Sequence, residues 1–260
     1  MTGPHLVRVV KIGGRAQEHR DLPAGIAAAW SAAPGSFCLV HGGGQAISAL
    51  QQRIGHEPSF LGGRRITGAG DIELLRMALS GAANKQLVAR LVAAGVPAVG
   101  LSGEDGALIA ARTRDAVTLG RVGTPSRVNV ALLTHLLAGG YLPVIAPLSR
   151  NAEAPETDDA LNVNGDDAAA AIAVALGAHE LVLLSDVTGV FMHGVPVPAL
   201  DVDDARRAVG DGTAAGGMAV KLEAAVSALE HGVSRVRVGD VRALMDERRG
   251  TILLSSRSLV

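Results

Sequence analysis

Six short apolar runs, each closed by a turn residue, limit what this chain can fold into. They are LVRVV (6–10), FCLV (37–40), PAVGL (97–101), LPVIAP (142–147), LVLLSDV (181–187) and RVRV (235–238). As a set they are rich in β-branched residues and lack polar alternation, as strands covered on both faces do. Longer periodic segments lie between them. In 71–94, Ile72, Leu75 and Leu79, then Leu87, Val88, Leu91 and Val92, recur at helical spacing, with Asp71 as the expected N-cap and Gly95 as the stop. Residues 166–176 and 218–230 repeat that scheme, ending before Gly177 and Gly232, and AISALQQRI (46–54) also reads as helix. Strand and helix in alternation imply an α/β fold: a three-layer αβα sandwich with a mainly parallel central sheet.

Two stretches break the rhythm. Short β-like pieces in 107–128 are expected to form hairpins beside the main sheet, and 191–215 reads as irregular. Helix termination near Gly177 suggests two lobes, 1–177 and 178–260.

Composition removes several classes of function. With 24 Lys and Arg against 25 Asp and Glu, the net charge of −1 provides no global field to attract nucleic acid or anionic lipid. The 2% aromatic content leaves few platforms for stacking bases. No apolar run approaches a membrane span, and the N-terminus lacks the apolar core of a signal peptide. The single cysteine, Cys38, forms no internal disulfide and fits a reducing, cytoplasmic setting. Any anion must therefore be held locally.

The 33 glycines cluster where that could happen. Lys11-Ile12-Gly13-Gly14 follows the first strand, His41-Gly42-Gly43-Gly44 the second and Leu101-Ser102-Gly103 the third, while Gly216-Gly217 opens the helix that carries Lys221. Ligands of open α/β sheets bind beyond the carboxyl ends of strands, where bare amides and a following helix N-terminus attract anions. A Gly-Gly after a strand is by itself only a tight turn, and a lone lysine only a solvated cation. Here two lysines stand beside Gly-Gly pairs. G-x-x-x-x-G-K-[ST] and G-x-G-x-x-G are both missing, so a nucleotide would be held by neither loop. His41 reads as a structural donor, and the histidines show no metal spacing.

Nine collinear motifs carry a family likeness: KIGG (11–14), VHGGG (40–44), GRRIT (63–67), ANKQLVARL (83–91), LSGEDG (101–106), GYLPVIAP (140–147), LNVNGDDAAAAIA (161–173), LLSDVTGV (183–190) and GGMAVKLEAA (216–225). In order and spacing the chain resembles the amino acid kinase family, above all its branch that phosphorylates the side-chain carboxylate of N-acetyl-L-glutamate in arginine synthesis. The resemblance implies an ATP-dependent phosphotransferase whose N-terminal lobe binds the amino acid and whose C-terminal lobe binds ATP. It implies Lys11 and Lys221 as stabilisers of the phosphoryl group in flight, with Asp166 orienting them. Gly14, Gly43 and Gly44 would offer amides to the transferring group and the substrate carboxylate, and Arg65, Asn162 and Asn164 would hold the amino acid. Gly13, Gly14, Ser185, Asp186, Thr213, Ala214 and Ala215 would contact ATP. Magnesium would ride on the ATP phosphates, with no protein ligand.

The chemistry agrees. A carboxylate acceptor is ionised at neutral pH and needs no general base, only relief from repulsion by the donor and in-line alignment. Asp166 could alternatively cap its helix, with Asp167 the better candidate for that role. Arg64 departs from the family pattern, where an apolar residue is common, and 191–215 is short for the corresponding insert. The short lead into the first strand suggests a homodimer without arginine feedback. Two other readings stay open: a kinase for glutamate or aminoadipate linked to a small acidic carrier protein, and a non-catalytic ligand-binding domain of the same fold. The second would be expected to have lost one of the lysines.

Overall fold

The computed structural model describes residues 7–254. The expectation drawn from the N-terminal lead, and the extreme ends of the two lobes, lie outside them. The strands are β1 (Arg8–Ile12), β2 (Phe37–His41), β3 (Phe60–Leu61), β4 (Arg64–Arg65), β5 (Ala98–Gly103), β6 (Ile109–Thr113), β7 (Val122–Val128), β8 (Leu142–Asn151), β9 (Ala160–Val163), β10 (Glu180–Leu184), β11 (Phe191–Met192), β12 (Val195–Pro196), β13 (Ala199–Asp201), β14 (Arg235–Gly239) and β15 (Thr251–Leu254). The α-helices are α1 (Leu22–Ala32), α2 (Gly44–Arg53), α3 (Asp71–Leu75), α4 (Asn84–Ala93), α5 (Val130–Ala138), α6 (Gly165–Ala175), α7 (Val202–Gly210) and α8 (Gly216–Glu230).

Eleven strands form one sheet in the order β13-β15-β14-β10-β1-β2-β8-β6-β7-β9, with β5 also paired to β8. Its centre, from β14 through β10, β1 and β2 to β8, is parallel throughout. The period of two along each strand sorts side chains into two cores. Val9, Cys38, Val40, Leu181, Leu183, Val236 and Val238 meet α6, α7 and α8 on one face. Val10, Ile12, Phe37, Leu39, Val182 and Leu184 meet α1 and α4 on the other. A third cluster packs α2 and α3 on Ala146, Leu148 and Ala160. The expected three-layer αβα sandwich is what forms. Cys38 is fully buried, and burial pushes its thiol pKa up to about 12.

Several local expectations are corrected. The 107–128 region does form an antiparallel pair, β6 with β7, but inside the main sheet rather than beside it, because β6 continues onto β8 and β7 onto β9. The 71–94 segment is a continuous helical rod whose middle, Arg76–Ala83, is wound as a π-helix, and Val92 faces outward at 54% exposure. Asp71 does not cap it. Gly70 occupies that position, and the Asp71 carboxylate accepts from Gly68 N and Gln51 Nε2 instead. For α6 the cap is Asn164, whose Oδ1 accepts from Asp166 N at 2.8 Å, which leaves both aspartates for other work. The 191–215 stretch holds the β11–β12 hairpin, β13 and α7, the last capped by Asp201. Gly177 ends α6 in the left-handed region (φ 60°), while the sheet runs on across that point through β1 and β10. No helix among the described residues is long and apolar enough to cross a membrane.

One ion pair is sealed inside the second core. The alternation of RVRV turns Arg235 and Arg237 toward Glu180 at the start of the adjacent β10. Arg237 Nε donates to Glu180 Oε1 at 3.0 Å, its other nitrogens donate to Glu180 and to the carbonyls of Ala243 and Asp246, and both residues are fully buried. Removing one partner strands a buried charge. Arg235 Nε also lies 2.9 Å from Glu180 Oε1, so the carboxylate keeps a partner when Arg237 is lost, whereas Glu180→Leu leaves the buried Arg237 guanidinium without an anion and is expected to cost about 3–5 kcal/mol in chemical denaturation. A loss below about 1 kcal/mol would show that the pair is not sealed as described.

Candidate active site

The strand order reverses about β1, whose neighbours β2 and β10 lie on opposite sides, and such a switch point opens a crevice at the carboxyl ends of the strands. The end of β1 supplies Gly13 and Gly14, the end of β2 Gly42 to Gly44, and the end of β10 Ser185 and Asp186. A cavity of about 610 Å³ occupies this place, with Lys11, Gly14, Gly43, Gly44, Arg65, Asn162, Asn164 and Asp186 in its lining. That volume suits a small-molecule ligand.

Lys11 shares the sheet face of Val9, so its side chain rises toward the first turn of α6. There its Nζ lies 2.9 Å from Asp166 Oδ1. Lys221, one turn into α8, places its Nζ 3.0 Å from the same oxygen. All three side chains are at least 91% buried. Burial lowers the Lys11 pKa to about 8, with repulsion from Lys221 adding to the shift and Asp166 opposing it. For Asp166 burial alone would raise the pKa, but the charges and hydrogen bonds of the two lysines outweigh it and hold the carboxyl below its ordinary value. Two cations on one anion leave a net positive charge. Gly13 is glycine for space: a β-carbon there would fall 2.9 Å from Lys11 Nζ and 3.1 Å from the Leu184 carbonyl oxygen.

Arg65 projects from β4 to the other end of the cavity. Its guanidinium donates to Gln51 Oε1, to Gly44 O at 2.9 Å and to Ser48 Oγ at 2.8 Å, and it lies 4.7 Å from the centre of the Phe60 ring. Gln51, Ser48 and Phe60 are supports that sequence reasoning missed. Only the helical spacing of 48 and 51 could have hinted at them. The N-terminus of α2 borders the same space without a side-chain cap, so its first-turn amides are open to an anion or water. Asn162 Nδ2 donates to Thr67 Oγ1 at 2.8 Å, and Asn164 is committed to capping α6. The two asparagines line the cavity together.

The remaining expected residues are spread more widely. Ser185 Oγ donates to Asp186 Oδ1 at 3.2 Å. Thr213 and Ala215 stand on the approach to α8, whereas Ala214 is buried in the first core and its N–H donates to Ala208 O. Leu101-Ser102-Gly103 lies within β5 and lines none of this cavity. Asp167 turns away from Asp166 to meet Arg64.

His41 is fully buried with Nδ1 2.8 Å from Gly42 O and Nε2 2.9 Å from Asn84 Nδ2. An amide donor at Nε2 assigns the proton to Nδ1, and burial above all lowers the pKa to about 4. The ring stays neutral and fixes the glycine turn, with Asn84 as a partner the sequence did not disclose.

The model of the amino acid kinase family matches residues 7–240. An acetylglutamate kinase of Rubrobacter xylanophilus is 41% identical over 247 residues, covering 94% of this chain and 90% of the relative. Another acetylglutamate kinase, from Roseiflexus sp. (strain RS-1), is 38% identical over 251 residues, covering 96% and 94%. The crystal structure of smu.665 from Streptococcus mutans UA159 superposes with a TM-score of 0.85 at 30% identity, covering 95% of this chain and 98% of the other.

The shared oxygen makes a direct prediction. In a side-chain NMR titration one lysine should lose its proton with a midpoint near pH 8, and that signal should vanish in Lys11→Met. In Asp166→Asn the midpoint should fall further, because the group opposing the shift is gone while Lys221 remains. An unchanged or higher midpoint would contradict the geometry.

Proposed function

The chain belongs to the amino acid kinase family, and on that premise we propose that it transfers the γ-phosphoryl group of ATP to the side-chain carboxylate of N-acetyl-L-glutamate, forming an acyl phosphate for arginine biosynthesis. The observation that carries this reading is the pair of ammonium groups on one carboxylate oxygen, of which Lys11 lines the same cavity as Arg65. The full-length likeness to acetylglutamate kinases supports the choice of acceptor.

In this mechanism the side-chain carboxylate of the acceptor is the nucleophile. One of its oxygens attacks the γ-phosphorus in line, the bond from that phosphorus to the β–γ bridging oxygen breaks, and ADP leaves with the electron pair. No proton is abstracted, in keeping with a neutral His41 that faces a carbonyl. Lys11 and Lys221 meet the negative charge of the equatorial phosphoryl oxygens, and Asp166 holds both tips so that little reorganisation accompanies transfer. Arrival of the phosphates favours the charged form of Lys11. The uncapped N-terminus of α2 and the Arg65 guanidinium hold the acceptor's carboxylates, with Asn162 and Asn164 beside them.

Residues 1–177 supply the acceptor side in this reading. Residues 178–260 supply the ATP side through Ser185, Asp186, Lys221 and the approach to α8 formed by Thr213 to Ala215. In this reading a magnesium ion would be held mainly by the ATP phosphates and water. Such an ion would neutralise phosphate charge. The reading extends to a cytoplasmic enzyme, in line with the buried lone thiol, and to a homodimer, for which Met77 and Val92 leave apolar surface exposed.

Hydroxylamine trapping of acyl phosphate, with ATP and magnesium, tests the reaction over a panel of N-acetylglutamate, glutamate, aspartate, aminoadipate and carrier-linked glutamate. Product with N-acetylglutamate is expected. Folded protein that yields none with any of these would refute the assignment. Lys221→Met should fold, because Asp166 keeps Lys11, and should lose about 10²–10³ in kcat, the usual cost of one donor to developing charge. A variant with unaltered turnover would remove Lys221 from its role.

A further inference from the structure

Arg64 and Arg65 are consecutive strand residues, so their side chains leave β4 on opposite sides. Arg65 turns to α2. Arg64 turns to α6 and α8, where its guanidinium pairs with the Asp167 carboxylate through both terminal nitrogens and reaches Glu223 Oε2 at 3.3 Å. The side chain is 8% exposed. Each of its partners neighbours a residue of the site, since Asp167 follows Asp166 and Glu223 lies two positions beyond Lys221.

A second contact joins the same elements by shape. Gly62 and Gly63 form the two-residue turn between β3 and β4, both at positive φ (56° and 76°), as a type I′ hairpin requires. The turn is pressed on the first turn of α8. A β-carbon at Gly63 would lie 2.8 Å from the Gly216 carbonyl oxygen and 3.1 Å from Val220 Cγ2.

We infer that Arg64 is a positioning residue, a clasp that locks the hairpin presenting Arg65 onto the helices presenting Asp166 and Lys221. The inference rests on the proposed reaction in that it gives Arg65 to the acceptor and the lysines to the phosphoryl group; Arg64 then fixes the distance between the two. A buried ion triad is weak as a source of net stability, because desolvation offsets the attraction, but the planar fork of arginine can satisfy two carboxylates at once and thereby set a geometry. Misplacing reacting groups by about 1 Å costs on the order of 100-fold in rate, so a loosened hairpin has a kinetic signature. Loss of the guanidinium need not unfold the chain. Asp167 and Glu223 also line a second cavity of about 700 Å³, and Glu223 is 48% exposed, so water can reach both carboxylates.

The test compares Arg64→Met, Arg64→Lys and Gly63→Ala with the native chain by hydrogen exchange and by steady-state kinetics per folded molecule. In Arg64→Met, exchange over residues 60–67 and the first turn of α8 should quicken by about tenfold or more while β1, β2 and β10 keep their protection. The KM for the acceptor should rise and kcat fall, together reducing kcat/KM about 10- to 100-fold, with the KM for ATP nearly unchanged. Arg64→Lys should restore part of the loss, and Gly63→Ala should reproduce the phenotype without altering any charge. Native-like exchange in both Arg64→Met and Gly63→Ala would overturn the clasp, as would native acceptor KM and kcat in Arg64→Met. If the native chain phosphorylates no carboxylate, the assigned reaction fails, and the exchange result alone decides the clasp.

Discussion

Two ammonium groups cannot share a buried pocket without an anion between them. At about 4 Å and an effective dielectric constant near 20, like unit charges repel by about 4 kcal/mol, and burial taxes each of them further. The Asp166 carboxylate, in contact with both lysines, turns that repulsion into a bound triad with one positive charge to spare. Its position depends on the rest of the fold. β1 must carry Lys11 up the centre of the sheet, Asn164 must start α6 so that its second residue faces β1, and α8 must come back from the far half of the sequence.

That dependence explains why a nearly neutral chain can still gather anions. The charge balance over all 260 residues gives −1, yet the cavity wall concentrates Lys11, Arg65 and the open amides of α2, with Lys221 held behind Lys11 on the shared Asp166 oxygen. Local excess in a sheltered crevice acts more strongly than a diffuse field, because the low surrounding dielectric strengthens each contact and salt screens it less.

Much of this was legible in the sequence. Apolar runs without alternation announced the parallel centre of the sheet, and the lysines beside Gly-Gly pairs singled out two side chains that the fold brings onto one oxygen, because both signals are local. What failed was set by partners distant in sequence. Whether Asp71 caps a helix depends on Gln51 and Gly68 competing for its oxygens, and Asn164 displaced the aspartates as the cap of α6. The helices α1 and α5 are apolar almost all round, which blurs the periodic signal, while α7 is short and charged. The hairpin at 107–128 was read correctly, but the strands it would join could not be, since β-pairing is a non-local choice. The packing of Ala214 shows the same limit: its methyl group joins the first core and its N–H donates to Ala208 O, contacts set by α7 that no local pattern encodes.

The burial of Cys38 has a practical corollary. The only sulfhydryl of the chain sits in the middle of the sheet with a pKa near 12, where it meets no solvent and forms almost no thiolate. The native molecule is thus silent toward maleimides and iodoacetamide while folded. A fluorophore or spin label attached to a cysteine introduced at the hairpin tip or near Thr213 would report from that place alone, and accidental labelling at position 38 would itself mark molecules that have opened.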